Sequence, residues 1–159
     1  MGFKVLITDG LEKDGIDIIN AAGEAVNKKG IEAAELLQIV GEYDAMIVRG
    51  RTKVTKEVFE AARNLKAVGR AGVGVDNIDL QAAKEHGVTV VNAPTSTTIA
   101  VAELAFGLML ALVREIPRGD AGMKQEKWLK KELMGKEIYG KTLGIVGYGN
   151  IGRRLSQYA

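Results

Sequence analysis

The 159-residue sequence has no cysteine, one histidine, two prolines and one tryptophan. Without cysteine there are no disulfides and no thiolate metal sites, and the lack fits a reducing compartment. With His86 as the only imidazole, and no paired carboxylates in a pocket-forming loop, neither a metal-ligand cluster nor an acid–base constellation emerges. His86 closes a helix pattern just before Gly87, where an imidazole suits the negative end of the helix dipole. Charge of one sign is also scarce, since 22 basic and 20 acidic residues leave a net +2. No basic block or aromatic-interleaved patch stands out, which argues against nucleic acid as a partner. The longest apolar stretch, Val101–Val113, is too short to span a bilayer and carries Glu103, so no membrane partner is expected. Met1-Gly2-Phe3-Lys4 leads straight into a strand-like run, with no signal peptide, and the expected location is cytoplasmic. What is present, 47% hydrophobic and 26% charged residues, suffices for one soluble domain or one domain plus part of a second.

From residue 3 to residue 92, short apolar β-branched runs alternate with helix-like stretches. Strands are expected at Lys4–Thr8, Glu24–Val26, Ala45–Val48, Ala67–Gly69 and Thr89–Asn92. Helices are expected at Lys13–Ala22, Ala33–Val40, Lys56–Arg63 and Leu80–His86, the last capped by Asp79 and ended by Gly87. Such alternation predicts an α/β fold, a flavodoxin-like doubly wound parallel sheet covered on both faces. Pro94 then punctuates the chain. The helix that follows, Val101–Val113, is apolar all round and so is expected to be buried on all sides. Pro117 is expected to stop it, and residues 118–141 read as a charged, irregular arm anchored by Trp128. Thr95-Ser96-Thr97-Thr98 reads as a cap and hinge before the helix rather than a hydroxyl-lined phosphate site.

Two strands run into glycine turns. The first is Gly69-Arg70-Ala71-Gly72-Val73-Gly74-Val75-Asp76. In an open parallel sheet, ligands sit at the carboxyl ends of strands. Arg49 follows the strand ending at Val48, and Arg70 follows the one ending at Gly69. Two guanidinium forks beside bare amides at Gly72 and Gly74 make an anion-binding mouth suited to phosphate or carboxylate. The alternative, solvated loop arginines with glycines serving turn geometry, stays open at this level. The second turn is Gly147-Tyr148-Gly149-Asn150-Ile151-Gly152, after the apolar run Leu143-Gly144-Ile145-Val146 and before helix-spaced apolar residues at 151, 155 and 158. A strand, this Gly-x-Gly-x-x-Gly turn and a helix open a dinucleotide-binding unit. Such a unit takes about 30 residues to complete its first strand–helix–strand crossover, and Thr142–Ala159 supplies 18. The expectation is therefore a truncated cofactor site.

Together these residues resemble the D-2-hydroxyacid dehydrogenase family, and within it the branch that oxidises 3-phosphoglycerate. The resemblance rests on Val48-Arg49-Gly50-Arg51-Thr52-Lys53-Val54-Thr55, on Val68–Asp79, on Val91-Asn92-Ala93-Pro94, on Ala102-Glu103-Leu104 and on Gly140–Gly147, in that order. It implies residues 1–94 as a substrate-binding domain, 95–117 as an interdomain and dimerisation helix, and 118–159 as an arm plus the incomplete start of an NAD domain. The ligand implied is a small phosphorylated 2-hydroxy acid, and the setting is serine biosynthesis. Arg49, Gly50, Arg70, Ala71, Gly72, Val73 and Gly74 would bind it, with Val73 near the nicotinamide end. Gly147, Gly149, Asn150, Ile151 and Gly152 would meet the pyrophosphate of NAD. The helix at 99–116 would form a homo-oligomer interface.

Two positions depart from the family's pattern: Asn150 stands where an arginine is common, and Val73 where a hydroxyl residue is common. The family's catalytic arginine, glutamate and histidine lie C-terminal to the Gly-x-Gly-x-x-Gly motif and have no counterpart here. The resemblance therefore implies no catalytic residue in this chain and no turnover by it alone. NAD and NADP are not distinguished, because the acidic ribose-binding position falls past Ala159. Two other readings are carried forward. One is a stand-alone flavodoxin-like module that binds a phosphorylated ligand or drives oligomerisation. The other is a family branch that reduces glyoxylate or hydroxypyruvate.

Overall fold

The five β-branched runs ahead of Ser96 become five strands, because each is too short and too branched to favour a helix. A computed structural model describes residues 2–159. It shows two units, one ending at Ser96 and one running from Thr97 to Ala159. In the first, β1 (Phe3–Ile7), β2 (Gly23–Asn27), β3 (Ala45–Val48), β4 (Ala67–Arg70) and β5 (Thr89–Asn92) alternate with α1 (Lys13–Ala22), α2 (Ala33–Ile39), α3 (Lys56–Ala61) and α4 (Leu80–Glu85). Every neighbouring pair is parallel and the order is β2-β1-β3-β4-β5, the flavodoxin-like arrangement. All five carboxyl ends therefore open on one edge. Arg70 is the last residue of β4 rather than the first after it, and it pairs in register with Val48.

The two faces of the sheet are unequal. Connections of one hand place α1 on one face, because β1 to β2 steps one way along the sheet. The other three crossovers step the opposite way and place α2, α3 and α4 together on the other face. That face holds the core: Leu6, Met46, Val48 and Val68 from the strands, Leu36, Val58, Phe59, Ala82 and Ala83 from the helices. Burying each of the larger of these contributes about 2 kcal/mol. On the face of α1, Val5 and Ile7 are buried, but Val91 on β5 is 54% exposed, and α1 itself has no buried residue. The expected cover on both faces is thus complete on one side only within this unit. Register explains the sparse side further, since Ile47, Gly69 and Val91 stand in one row and glycine contributes no side chain. Asp79 caps α4 as expected, its Oδ1 accepting from the Ala82 amide at 2.9 Å, a contact worth about 1 kcal/mol. Gly87 follows with φ 67°.

The second unit contains α5 (Thr98–Val113), α6 (Ile116–Lys124) and α7 (Asn150–Tyr158). Several expectations are corrected here. Helix α5 is apolar apart from Thr98 and Glu103, yet Ala102 is its one buried residue, because within the unit α7 covers only one side, through Phe106 against Tyr158. Pro117 does not stop a helix. It occupies the first turn of α6, where its missing N–H costs nothing, and the break lies at Glu115 in the left-handed region. The segment 118–141 is accordingly helical as far as Lys124, and Trp128 is 76% exposed rather than an anchor. Thr97 makes no side-chain cap to α5. The run Leu143–Val146 is not a strand; the unit has no other strand to hydrogen-bond it, and a lone strand has no ladder. Among the described residues no helix is long and apolar enough to cross a membrane.

Candidate functional site

At the carboxyl edge of the first unit, the loop after β3 is held by a residue from β1's end. Asp9 Oδ2 accepts from the Arg49 amide at 2.7 Å and the Thr52 amide at 3.1 Å. Its Oδ1 accepts from the Thr52 hydroxyl at 2.6 Å, with Arg51 Nε 3.7 Å away. The Asp9 side chain is only 4% exposed. Burial alone would raise this carboxyl, but the Thr52 hydroxyl and amide, the Arg49 amide and the Arg51 charge together hold it below its ordinary value. From the other side, Asn77 Nδ2 donates to the carbonyls of Arg49 at 3.0 Å and Thr52 at 2.7 Å. The Val54 amide donates to the Asn77 carbonyl and the Asp79 amide to that of Val54, a one-step parallel bridge between the two loops. The segment 49–54 is therefore gripped from β1 and from the loop after β4.

The loop after β4 is stitched in turn to its neighbours. The Ala71 amide donates to the Val48 carbonyl, and the Ala93 amide to the Gly72 carbonyl. Asn92 Nδ2 donates to the Val73 carbonyl at 2.6 Å. One expectation changes, because the Gly72 amide is not bare: it donates to the Arg70 carbonyl in a tight turn. The amides of Val73 and Gly74 have no backbone partner among the described residues. Gly72 serves a different purpose. A Cβ on it would overlap the Arg70 guanidinium, and one on Gly50 would come within 3.8 Å of Arg70 Nη2. The head of Arg70 thus lies between two bare glycine Cα atoms, one on each loop.

Of the three arginines here, Arg51 is committed to Asp9, Glu32 and the Ile31 carbonyl. Arg49 has one loose, exposed partner, Glu12 at 3.7 Å. Arg70 pairs with no carboxylate among the described residues, and its Nε is buried without a hydrogen-bond partner. A buried donor left unmet is costly, and a fork held open between glycines is what an incoming oxyanion satisfies. A groove of about 470 Å³ lies instead between α2 and α3, lined by Ile31, Leu36, Arg51 and Val58 among others. It contains neither Arg49 nor Arg70, and its one arginine is already paired. His86 is spent structurally, with Nδ1 2.9 Å from the Ala82 carbonyl and the ring stacked on Phe59.

The Gly147–Gly152 turn is formed even though no strand precedes it. Gly147 has φ 93°, a conformation that favours glycine. A Cβ on Gly152 would overlap the Gly147 carbonyl oxygen and touch Ile145, whereas one on Gly149 would meet nothing within 4 Å. Those are the tight turn, the close packing and the open approach that the three glycines of a dinucleotide turn supply. Asn150 and Ile151 begin α7, and Asn150 Oδ1 accepts from Arg153 at 3.0 Å. The residues present fit the diphosphate part of a dinucleotide. Asp9, Thr52, Asn77 and Asn92 escaped the sequence reading. Asp9 and Asn92 lie at or just past the carboxyl ends of strands and Thr52 and Asn77 deeper in the loops that follow, positions that small polar residues occupy in many loops.

The sequence matches the family model for the D-isomer specific 2-hydroxyacid dehydrogenase catalytic domain over residues 5–150. It is 49% identical over 156 residues to the D-3-phosphoglycerate dehydrogenase of Methanocaldococcus jannaschii, covering 98% of this chain and 30% of that protein. It is 46% identical over 158 residues to the hydroxypyruvate reductase of Thermotoga maritima, covering 99% of this chain and 52% of that one. A solved protein structure from Thermus thermophilus superposes with a TM-score of 0.89 at 33% identity, over 98% of this chain and 52% of its own. The chain spans about a third to a half of the length of these relatives. On the match across residues 5–150, the chain belongs to the D-isomer specific 2-hydroxyacid dehydrogenase family.

Proposed function

We propose that this chain carries the substrate-binding part of an NAD-dependent enzyme that oxidises 3-phosphoglycerate to 3-phosphohydroxypyruvate, in serine biosynthesis. The observation that carries the reading is Arg70: buried at Nε, unpaired, and held between Gly50 and Gly72 beside the loosely paired Arg49. One unpaired and one loosely paired guanidinium group at adjacent strand ends suit a ligand with two anionic ends, and 3-phosphoglycerate has a phosphate and a carboxylate. Arg49 and Arg70 take those ends, Gly50 and Ala71–Gly74 line the approach, and the amides of Val73 and Gly74 are available to the carboxylate. Gly147, Gly149, Asn150, Ile151 and Gly152 face the pyrophosphate, with Val73 toward the nicotinamide. NAD, when bound, accepts the hydride; this chain's residues bind and orient. With His86 occupied by Ala82 and Phe59, no imidazole is available to take the hydroxyl proton, so the 159-residue polypeptide alone does not turn over. Helix 99–116 is the proposed homo-oligomer contact.

The Thermotoga maritima relative's name, hydroxypyruvate reductase, favours a second reading, in which the natural ligand has one anionic end. Calorimetric or NMR titration of the chain with 3-phosphoglycerate, glycerate and inorganic phosphate separates the two. Binding of 3-phosphoglycerate that exceeds glycerate and is abolished by Arg70→Ala is the expected result. Equal affinity for glycerate favours the reductase. Strength separates the third reading: affinity weaker than micromolar fits part of a larger enzyme, whereas micromolar affinity for a phosphorylated ligand, again lost in Arg70→Ala, favours a stand-alone binding module.

A further inference from the structure

We infer that Asp9, acting with Thr52 and Asn77, is a positioning residue that fixes the Arg49 loop in the shape that receives the anion; the inference rests on the anion-binding reading above. A loop of small and cationic residues between Val48 and Val54 has no reason of its own to hold one conformation, and closing it costs backbone entropy of about 1–2 kcal/mol per residue fixed. Here the loop is clamped at both ends by side chains from other segments. Asp9 takes the amides of Arg49 and Thr52 and the Thr52 hydroxyl on one side. Asn77 takes the carbonyls of the same two residues on the other. The backbone polar groups of Arg49 and Thr52 are thereby satisfied within the protein.

The geometry also assigns the arginines different work. Asp9, with Glu32 and the Ile31 carbonyl, draws Arg51 back toward the α2 side. Arg49 is left with its backbone fixed and its half-exposed head beside only the loose partner Glu12. The same carboxylate therefore fixes the cation that binds and removes the one that would compete. Asn77 belongs to the loop that begins with Arg70, so the clamp sets the two cationic loops in one register. A carboxylate so close to an anion site looks adverse, but Asp9 is almost wholly buried and its oxygens are occupied by Arg49, Thr52 and Arg51.

The test uses ¹⁵N-labelled 159-residue chain at neutral pH, titrated with inorganic phosphate and with 3-phosphoglycerate. Shifts at the Arg49, Gly50, Val73 and Gly74 amides report binding. Asp9→Asn and Thr52→Val are expected to weaken both anions by about tenfold, the lower end of what residues that orient metal ligands contribute to metal affinity. Thr52→Ser, which keeps the hydroxyl, is expected to restore affinity. Spectra away from residues 49–54 and 70–78 stay unchanged, and if Asp9→Asn fails to fold, the Thr52 pair carries the comparison. Wild-type affinity in Asp9→Asn with a rapidly exchanging Arg49 amide overturns the positioning role and leaves the anion site standing. Equal weakening by Thr52→Ser and Thr52→Val also overturns it. No shift in the wild-type chain with either anion removes the anion site itself, and the positioning role with it.

Discussion

Arg49 and Arg51 sit two residues apart in one loop, yet the structure leaves one guanidinium available and commits the other. Spacing along a chain cannot separate them, because what separates them is a carboxylate about forty residues upstream. Arg49, Arg70 and the glycines were legible as a group, since they stand at strand ends and strand ends are readable from β-branched runs. Asp9 stood in the sequence only as the residue after the expected strand Lys4–Thr8; its role needs β1 and β3 to be neighbours. The pH response follows from the same contact. The folded Asp9 carboxyl is held below its ordinary value, so its contribution is present above the unfolded value and is lost as pH falls through the folded one. Asp9→Asn is expected to cost about 2 kcal/mol at neutral pH, the scale of hydrogen bonds to a charged group, and to flatten the fall in stability on acidification. Denaturant unfolding at a series of acid pH values checks this; an unchanged acid limb refutes it. Some acid dependence remains in the variant, since the Lys4 amide also holds Asp44 low and the Thr55 hydroxyl holds Glu57 low.

At the level of single elements, periodicity located what local chemistry dictates. Strands β3 and β5 and helix α1 fall on their expected residues, and Asp79 starts α4 through its own side chain. Failures occur where an element depends on a neighbour. The Leu143–Val146 run has strand composition but nothing to pair with, and Pro117, read as a stop, is instead a start. The dinucleotide turn is formed without its strand, and in it the Gly147 carbonyl comes so close to Gly152 that a Cβ there would overlap it. Gly152→Ala is therefore expected to unseat α7. A carbonyl cannot swing aside as a side-chain tip can. Hydrogen exchange should show lost protection over Asn150–Tyr158, with the sheet's amides unchanged. Full protection of α7 in the variant contradicts the contact.

For the whole molecule, α5 presents Leu104, Leu108 and Leu112, spaced four apart on one helix face and 62, 60 and 78% exposed. Such a stripe is more than a soluble surface ordinarily leaves bare, and its full apolar circumference could be read in the sequence, although what covers it could not. The proposed homo-oligomer leads to a direct expectation: light scattering at micromolar concentration gives a dimer or larger species, and Leu104→Lys with Leu108→Lys gives a monomer with the sheet intact. A monomeric wild type rejects it.

The strand order has a consequence in time as well as in space. With β1 interior, β2 joins one of its sides and β3 the other, after which β4 joins β3 and β5 joins β4. Once β1 is made, every later strand that leaves the ribosome meets an edge already in place. Chains emerge amino end first and fold in that direction where they can, so the sheet can grow by adding each new strand at an existing edge. The clamp keeps the same schedule: Asp9 is ready before Arg49 arrives, and Arg49 before Asn77, so that each grip on the anion loop closes as soon as its second half has been made.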